Sequence, residues 1–160
     1  MNTQTPIVVR AAHPADAASI IEFQVAMAWE TEELKLDQET VQKGVLAVFE
    51  GTTPEARLGK YFIAECEGQV VGSTLILPEW SDWRNGTVWW IHSVYVKPEF
   101  RKRGVFRKIY EHVRTEVQAV PSLRGLRLYV ERTNLRAQAV YSRLGMTDEH
   151  YALFEWMKTF

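Results

Sequence analysis

Residues 93–107 read SVYVKPEFRKRGVFR and combine four local signals in one short stretch. An apolar strand pattern ends at Val96, and Pro98 stops it because proline has no N–H to donate to a strand ladder. A basic turn that contains Gly104 follows and leads into a predicted helix. The first turn of a helix leaves backbone N–H groups without partners, and such a site binds phosphate. We therefore expect an anion-binding turn between a strand and a helix.

The sequence on either side of this turn predicts alternating strands and helices. Apolar, β-rich runs predict strands over residues 7–11, 61–66, 69–77, 87–96, 126–130 and 151–156. Helical spacing predicts helices over residues 14–30, 38–49, 104–119 and 135–144, and residues 78–86 are expected to form a turn-rich break. The order β-α-α-β-β-β-α-β-α-β predicts a mixed α/β fold, with a central twisted mixed sheet flanked by helices.

Length and composition favour one soluble domain. A chain of 160 residues is of ordinary single-domain size, so we expect one domain over residues 1–160. The lone Cys66 cannot form an internal disulfide, the N-terminus lacks a secretory pattern, and no apolar run reaches the roughly 18 residues needed to span a membrane. These features predict a cytoplasmic protein with no membrane partner.

The charge distribution argues against several classes of protein. There are 19 Lys and Arg against 20 Asp and Glu, whereas a general nucleic-acid binder is usually basic. Residues 97–114 nevertheless carry seven basic and two acidic residues, which is consistent with a local site for a multiply charged anion. The four histidines have no ligand spacing with Cys66, so we expect no metal.

A second motif reads NLRAQAVYSRLGM over residues 134–146 and follows a predicted strand. Asn134 is a candidate helix N-cap, and Asn134, Gln138 and Tyr141 share one helix face because they are spaced by four and three residues. Gly145 can take the left-handed conformation that ends a helix.

Together the two motifs resemble those of the GNAT superfamily of N-acetyltransferases. Arg101 and Gly104 match the acyl-CoA signature Arg/Gln-x-x-Gly-x-Gly/Ala, and the second motif is similar to the family segment Asn-x-x-Ala-x-x-x-Tyr-x-x-x-Gly-Phe. The chain departs at Phe106, where the family usually has Gly or Ala, and at Met146, where it has Phe. The resemblance extends over residues 61–156.

The resemblance implies acetyl-CoA as cosubstrate, an amine as acceptor, and roles for individual residues. Tyr141 would be the general acid that protonates the departing thiolate, and Asn134 would contact the cofactor arm. Backbone groups of Val94, Tyr95 and Val96 would pair with the pantetheine arm. The diphosphate would be held by the turn residues Arg101, Lys102, Arg103, Gly104, Val105, Phe106 and Arg107. Proteins of this family are often dimers, so a homodimer is expected on the same ground.

His92 is the candidate base. Strand alternation predicts that Trp90, His92, Val94 and Val96 share one face, and histidine titrates in a suitable range. Some family members carry a catalytic His at this point, and many pass the proton through water instead. A histidine that only hydrogen-bonds within the sheet face is the alternative interpretation.

In related folds the acceptor site lies between the connection of the first two helices and the loop before the fourth strand, so the resemblance implies the same place here. Trp29, Glu33 and Trp83 are the candidate residues, and an acidic, aromatic cleft would suit a small cationic amine. The alternative is that the acidic residues form a solvated helix end. Two other functions compete with the enzyme: a non-catalytic acyl-CoA sensor on the same fold, and a nucleic-acid-binding module built on the basic segment.

Overall fold

The computed structural model describes residues 5–51 and 58–158 of the chain. The chain divides into two compact units, Met1–Arg127 and Leu128–Phe160. The described helices and strands of the first unit are β1 (Val8–Ala11), a 3-10 turn (Pro14–Asp16), α1 (Ala17–Glu32), α2 (Gln38–Glu50), β2 (Lys60–Cys66), β3 (Gln69–Ser81), β4 (Gly86–Val96), a second 3-10 turn (Pro98–Phe100), α3 (Val105–Ala119) and β5 (Leu123–Arg127). The second unit holds α4 (Leu135–Arg143). A single domain over residues 1–160 stays a prediction.

The first unit is built on a five-stranded mixed sheet. Its strand order is β1-β2-β3-β4-β5, with antiparallel pairing from β1 to β4 and parallel pairing of β5 with β4. Parallel neighbours need a crossover connection, and α3 supplies it between β4 and β5. The predicted mixed α/β class is therefore confirmed.

Helices pack on both faces of this sheet. Tyr61 and Ile63 of β2 belong to a buried cluster with Ala17 and Ile20 of α1 and Val45 of α2. Phe62 points to the opposite face, because side chains alternate along a strand, and its ring lies 5.3 Å from that of His112 on α3. The sheet is therefore a middle layer between α1 and α2 on one side and α3 on the other.

Local capping signals place the helix ends close to the prediction. The Asp37 side chain accepts a hydrogen bond from the Thr40 N–H at 2.9 Å and begins α2, and Gly51 ends it with a φ of 92°. Gly104 occupies the N-cap position of α3 with a φ of 80°. The first helix continues two residues beyond its predicted end, to Glu32.

The predicted break over residues 78–86 is wrong in its first half, because β3 continues through Pro78 to Ser81. Pro78 pairs with Trp89 of β4, while β2 begins at Lys60, opposite Ile76. No described strand pairs with this side of β3 beyond Ile76, and proline is tolerated there because that side needs no N–H donor. The turn itself is shorter and covers residues 82–85.

Two other predicted strands differ from the structure. The strand expected over residues 126–130 lies earlier, at Leu123–Arg127, because its register follows from parallel pairing of Thr87 with Leu123. Residues 151–156 form no strand, since a strand requires a paired neighbour and no described strand pairs with them. Among the helices in the described ranges, none has the length and apolar character to cross a membrane.

Candidate functional site

A bulge in the middle of β4 sets the geometry of the site. His92 pairs with Leu75 and Tyr95 with Ser73, so two steps along β3 lie opposite three steps along β4. The extra residue is accommodated at Ser93, whose φ of 51° is left-handed, and the Thr74 hydroxyl donates to the His92 carbonyl at 2.8 Å. His92 and Tyr95 therefore face the same side of the sheet. The predicted shared face of His92 and Val96 is wrong, because the bulge changes the alternation between them.

No described strand pairs with the outer edge of β4 beyond Trp90. The ladder between β4 and β5 ends where Trp90 pairs with Arg127. From Ile91 to Val96, β4 pairs only with β3 among the described strands. A strand edge of this kind presents N–H and C=O groups that an extended ligand can use. The backbone of Val94, Tyr95 and Val96 belongs to this edge, and its pairing with a pantetheine arm stays a prediction.

The turn after β4 presents backbone N–H groups to solvent. Lys102 and Gly104 have positive φ values of 64° and 80°. Within the described ranges, the N–H groups of Lys102, Arg103, Gly104 and Val105 donate to no protein acceptor. Alternation of left-handed and right-handed residues ahead of a helix makes an anion-binding concavity. A Cβ built on Gly104 meets nothing within 4 Å, so the concavity is open.

Side chains on this turn and on the first turn of α3 make local contacts. The Arg103 guanidinium lies 5.0 Å from the centre of the Phe100 ring, and Arg107 Nε donates to Glu111 Oε1 at 2.8 Å. The Phe106 ring lies 6.4 Å from that of Tyr110, one helical turn further along α3. The departure from the family pattern at Phe106 therefore places an aromatic side chain along the helix, next to another aromatic side chain.

The Arg101 side chain contacts the end of α1 and the end of β4. Its Nε donates to the Val96 carbonyl at 2.8 Å, and its Nη2 donates to Glu30 Oε2 on α1 at 2.6 Å. The other oxygen of Glu30 accepts a hydrogen bond from the Tyr95 hydroxyl at 3.1 Å. The Arg101 guanidinium also lies 5.5 Å from the centre of the Tyr95 ring. Sequence reasoning missed this arrangement, because the partners are 65 and 71 residues apart.

His92 lies on the face that also carries an ion pair. Its ring is half-buried, 6.0 Å from that of Trp90, and this burial lowers the pKa of His92 and favours a neutral imidazole at pH 7. Glu79 Oε2 accepts hydrogen bonds from Trp90 Nε1 at 3.1 Å and from Arg127 Nη1 at 2.6 Å. Glu79 and Arg127 were not predicted, since only the register of β3, β4 and β5 brings them together.

In the second unit, α4 carries the residues of the second motif. Asn134 Oδ1 accepts a hydrogen bond from the Ala137 N–H at 3.0 Å, which confirms the predicted N-cap. Gly145 has a φ of 85°, and the Met146 N–H donates to the Tyr141 carbonyl at 3.1 Å, so the helix ends as predicted. Burial raises the pKa of Tyr141, which keeps its phenol protonated in the neutral range.

The three candidate acceptor residues are all exposed. The exposed fractions of Trp29 and Trp83 are 61% and 87%, and Glu33 is the left-handed residue that ends α1. Within the described residues, no hydrogen bond or ring contact joins Trp83 to Trp29 or Glu33. The described residues also contain no group of three or more His, Cys, Asp or Glu arranged to hold a metal ion.

Comparison with known proteins identifies the family. The sequence profile described as Acetyltransferase (GNAT) family matches residues 23–146, which is most of the chain. A curated relative, thialysine N-epsilon-acetyltransferase from Bos taurus, is 30% identical over 147 residues, which cover 89% of this chain and 85% of the relative. The chain therefore belongs to the GNAT family of acetyltransferases.

Solved structures show the same fold. A possible acetyltransferase from Clostridium difficile 630 is 35% identical, with a TM-score of 0.86 and coverage of 96% of this chain and 99% of that one. An aminoglycoside N-acetyltransferase in complex with CoA is 15% identical, with a TM-score of 0.76 and coverage of 99% of both chains. The second similarity concerns the fold alone.

Proposed function

We propose that this protein transfers an acetyl group from acetyl-CoA to an amine, by direct attack within a ternary complex. The observation that carries this proposal is the open turn of backbone N–H groups before α3, directly after the unpaired edge of β4. The first feature suits a diphosphate and the second suits an extended amide chain. Both are what acetyl-CoA would need, and membership of the GNAT family supports its use.

In the proposed complex, the diphosphate accepts hydrogen bonds from the turn. Lys102, Arg103 and Gly104 provide N–H groups there. The dipole at the N-terminal end of α3 stabilises the bound negative charge by about 0.3–1 kcal/mol. The pantetheine arm pairs with the edge of β4 from Val94 to Val96. The thioester carbonyl oxygen accepts a hydrogen bond from a backbone N–H of the same edge, and this bond stabilises negative charge as it develops on the oxygen. Asn134 contacts the cofactor arm, as the resemblance implies.

The chemistry removes two protons from a protonated primary amine and delivers one proton to sulfur. A lysine-type amine has a pKa of about 10.4, so only a few molecules in ten thousand are neutral at pH 7. His92, or a water molecule, accepts the first proton, and the neutral amine nitrogen attacks the thioester carbon. The bond from that carbon to sulfur then breaks, and Tyr141 donates its phenolic proton to the departing thiolate. The second proton of the nitrogen passes to the Tyr141 phenolate and restores the phenol. The lowered pKa of His92 and the raised pKa of Tyr141 favour these two protonation states.

The proposed acceptor is a small cationic amine. Trp29, Glu33 and Trp83 are exposed and offer aromatic faces and a carboxylate. The bovine relative is named for acetylation of an amine nitrogen, and the aminoglycoside N-acetyltransferase is named for amine-bearing acceptors. A cytoplasmic location and a homodimer are part of the same proposal.

Replacement of Gly104 by Glu tests the acyl-donor site. The new carboxylate would fill the open space above the turn and repel the diphosphate, so we expect isothermal titration calorimetry to show micromolar binding of acetyl-CoA by the native chain and none by the folded variant. Gly68→Glu is the matched control. Gly68 also has a positive φ, of 72°, with nothing within 4 Å, and it lies in the β2–β3 turn, about 13 Å along β3 from the Gly72–Val96 pair.

Each outcome of this experiment has a distinct meaning. Equal binding by the native chain and Gly104→Glu would reject the turn as the diphosphate site. Absence of binding by the native chain would reject acetyl-CoA as cosubstrate. Binding without turnover across a broad panel of amines would replace the enzyme by an acyl-CoA sensor.

A further inference from the structure

A hydrogen-bonded network ties the C-terminal end of α1 to the end of β4. Glu30 of α1 holds the Tyr95 hydroxyl with one carboxylate oxygen and Arg101 Nη2 with the other. Arg101 Nε donates to the carbonyl of Val96, the last residue of β4. The Arg101 guanidinium therefore makes both contacts, the ion pair with Glu30 and the hydrogen bond to the Val96 carbonyl, and it spans the first half of the turn.

The network is reinforced from both sides. The Phe23 ring of α1 stacks on the Tyr95 ring at a centroid distance of 5.0 Å, with both side chains buried. The Lys97 N–H donates to the Val71 carbonyl of β3 at 2.9 Å, next to the Val96 carbonyl that Arg101 holds. The start of the turn is thus held to α1 through Arg101 and to β3 through Lys97.

We propose that Arg101 is a positioning residue for the acyl-donor site and that Glu30 is its anchor. Arg101 holds the Val96 carbonyl and the first half of the turn in place, so that the N–H groups of Lys102, Arg103 and Gly104 stay oriented toward the diphosphate. This inference rests on the proposed use of acetyl-CoA. It differs from the role in which Arg101 itself binds phosphate.

The two roles of Arg101 predict effects of opposite sign at Glu30. Glu30 neutralises the guanidinium at 2.6 Å, and its own negative charge repels an anionic ligand. If Arg101 bound phosphate directly, loss of the Glu30 charge would release the guanidinium and strengthen acetyl-CoA binding. If Arg101 acts by position, loss of its anchor would loosen the turn and weaken that binding.

Glu30→Gln separates these roles because it removes the charge and keeps the side-chain size. We expect calorimetry to show acetyl-CoA binding about 3- to 10-fold weaker than in the native chain, as the loss of one partly exposed charged contact predicts. Glu65→Gln is the matched control. It removes the same charge from another partly exposed arginine–glutamate pair, with Arg10 of β1, and neither residue belongs to the proposed site. We expect this control to bind acetyl-CoA as the native chain does.

Substitutions of Arg101 provide a second, independent measurement. Arg101→Lys keeps the positive charge but cannot hold the Val96 carbonyl and Glu30 with one planar group, so we expect it to bind as weakly as Arg101→Gln. The double variant of Glu30→Gln and Arg101→Gln should be no weaker than the weaker single variant, within about 2-fold. The dependence of affinity on salt concentration should stay native in Arg101→Gln, because the number of phosphate contacts is unchanged. A role in folding alone would not produce this pattern in variants with native unfolding midpoints.

Three outcomes would overturn the positioning role. These are binding by Glu30→Gln that equals or exceeds native, near-native binding by Arg101→Lys, and a reduced salt dependence in Arg101→Gln. Each would leave the proposed acetyl-CoA function intact as long as the native chain binds acetyl-CoA. Failure of the native chain to bind acetyl-CoA would overturn both proposals together.

Discussion

At the scale of single residues, the surroundings of His92 suit a proton acceptor. The bulge at Ser93 directs its ring to the same face as Tyr95, and packing near the Trp90 indole keeps it half-buried. Desolvation disfavours the charged imidazolium, which is why the pKa falls below its usual value of 6.5. A histidine that stays neutral at pH 7 can accept a proton without first losing one.

The pH dependence of the reaction tests this role. If His92 is the base, kcat/KM for acetyl-CoA at saturating acceptor should be level near pH 7 and fall only below pH 6.5, as the imidazole gains a proton. His92→Gln should lower the plateau value of kcat/KM by about 10²–10⁴-fold and abolish the decrease at acidic pH. If His92→Gln keeps both the decrease at acidic pH and most of the native kcat/KM, the base is water.

The corner between β1 and the first 3-10 turn shows how one buried carboxylate organises neighbouring elements. Asp16 is 8% exposed and accepts hydrogen bonds from Arg10 Nη1 at 2.8 Å, from Arg10 Nη2 at 3.1 Å and from the His13 N–H at 2.7 Å. Arg10 Nη2 also donates to Glu65 of β2 at 3.1 Å. The Arg10 hydrogen bond is the main reason that the pKa of Asp16 lies below its usual value.

At the scale of secondary-structure elements, Asp16→Asn should therefore destabilise the fold. At pH 7 we expect the free energy of unfolding in urea to fall by about 2 kcal/mol, because hydrogen bonds to a charged group are lost. Because the pKa of Asp16 is lower in the folded chain, the ionised carboxylate stabilises the fold fully above the unfolded value of 3.8. This stabilisation is lost as the pH falls through the folded-state pKa, so the difference in unfolding free energy between the native chain and the variant should shrink below pH 3.8. Glu39→Gln, which removes an exposed pair with Lys43, is the control and should leave the unfolding curve unchanged. A pH-independent difference would contradict the electrostatic explanation.

On the scale of the whole molecule, the proposed site links ligand binding to stability. The unpaired edge of β4 and the turn before α3 belong to the five-stranded sheet that organises the first unit. A ligand that binds only the folded chain adds stability in proportion to the logarithm of its concentration over Kd. Acetyl-CoA should therefore protect the chain against heat, whatever the acceptor is.

Thermal unfolding provides the measurement. At a concentration of acetyl-CoA of about 100 times Kd, the gain of about 2.7 kcal/mol should raise Tm by roughly 5–11 °C for a chain of this size. Gly104→Glu should show no such rise, while Gly68→Glu should behave as the native chain. An unchanged native Tm at this concentration would contradict binding to the folded state.

Local sequence was sufficient to predict the parts of the fold and site that depend on a few neighbouring residues. The cap at Asn134, the end of α4 at Gly145 and the basic turn at Gly104 were recognisable because capping and left-handed turns follow from the backbone preferences of single residues. The mixed sheet followed from the order of strand-like and helix-like segments. For the same reason the family resemblance was visible in two short motifs.

The tertiary structure alone decided the features that depend on pairing between distant segments. The bulge at Ser93 appears only in the register of β4 against β3, and it places His92 on the face of Tyr95 rather than that of Val96. The contact of Arg101 with Glu30 joins residues 71 apart, so no local pattern could indicate that Arg101 also holds the end of a strand. Strand ends and long-range ion pairs are set by which segments meet in the folded chain, and residues with strong strand propensity form a strand only where a partner pairs with them.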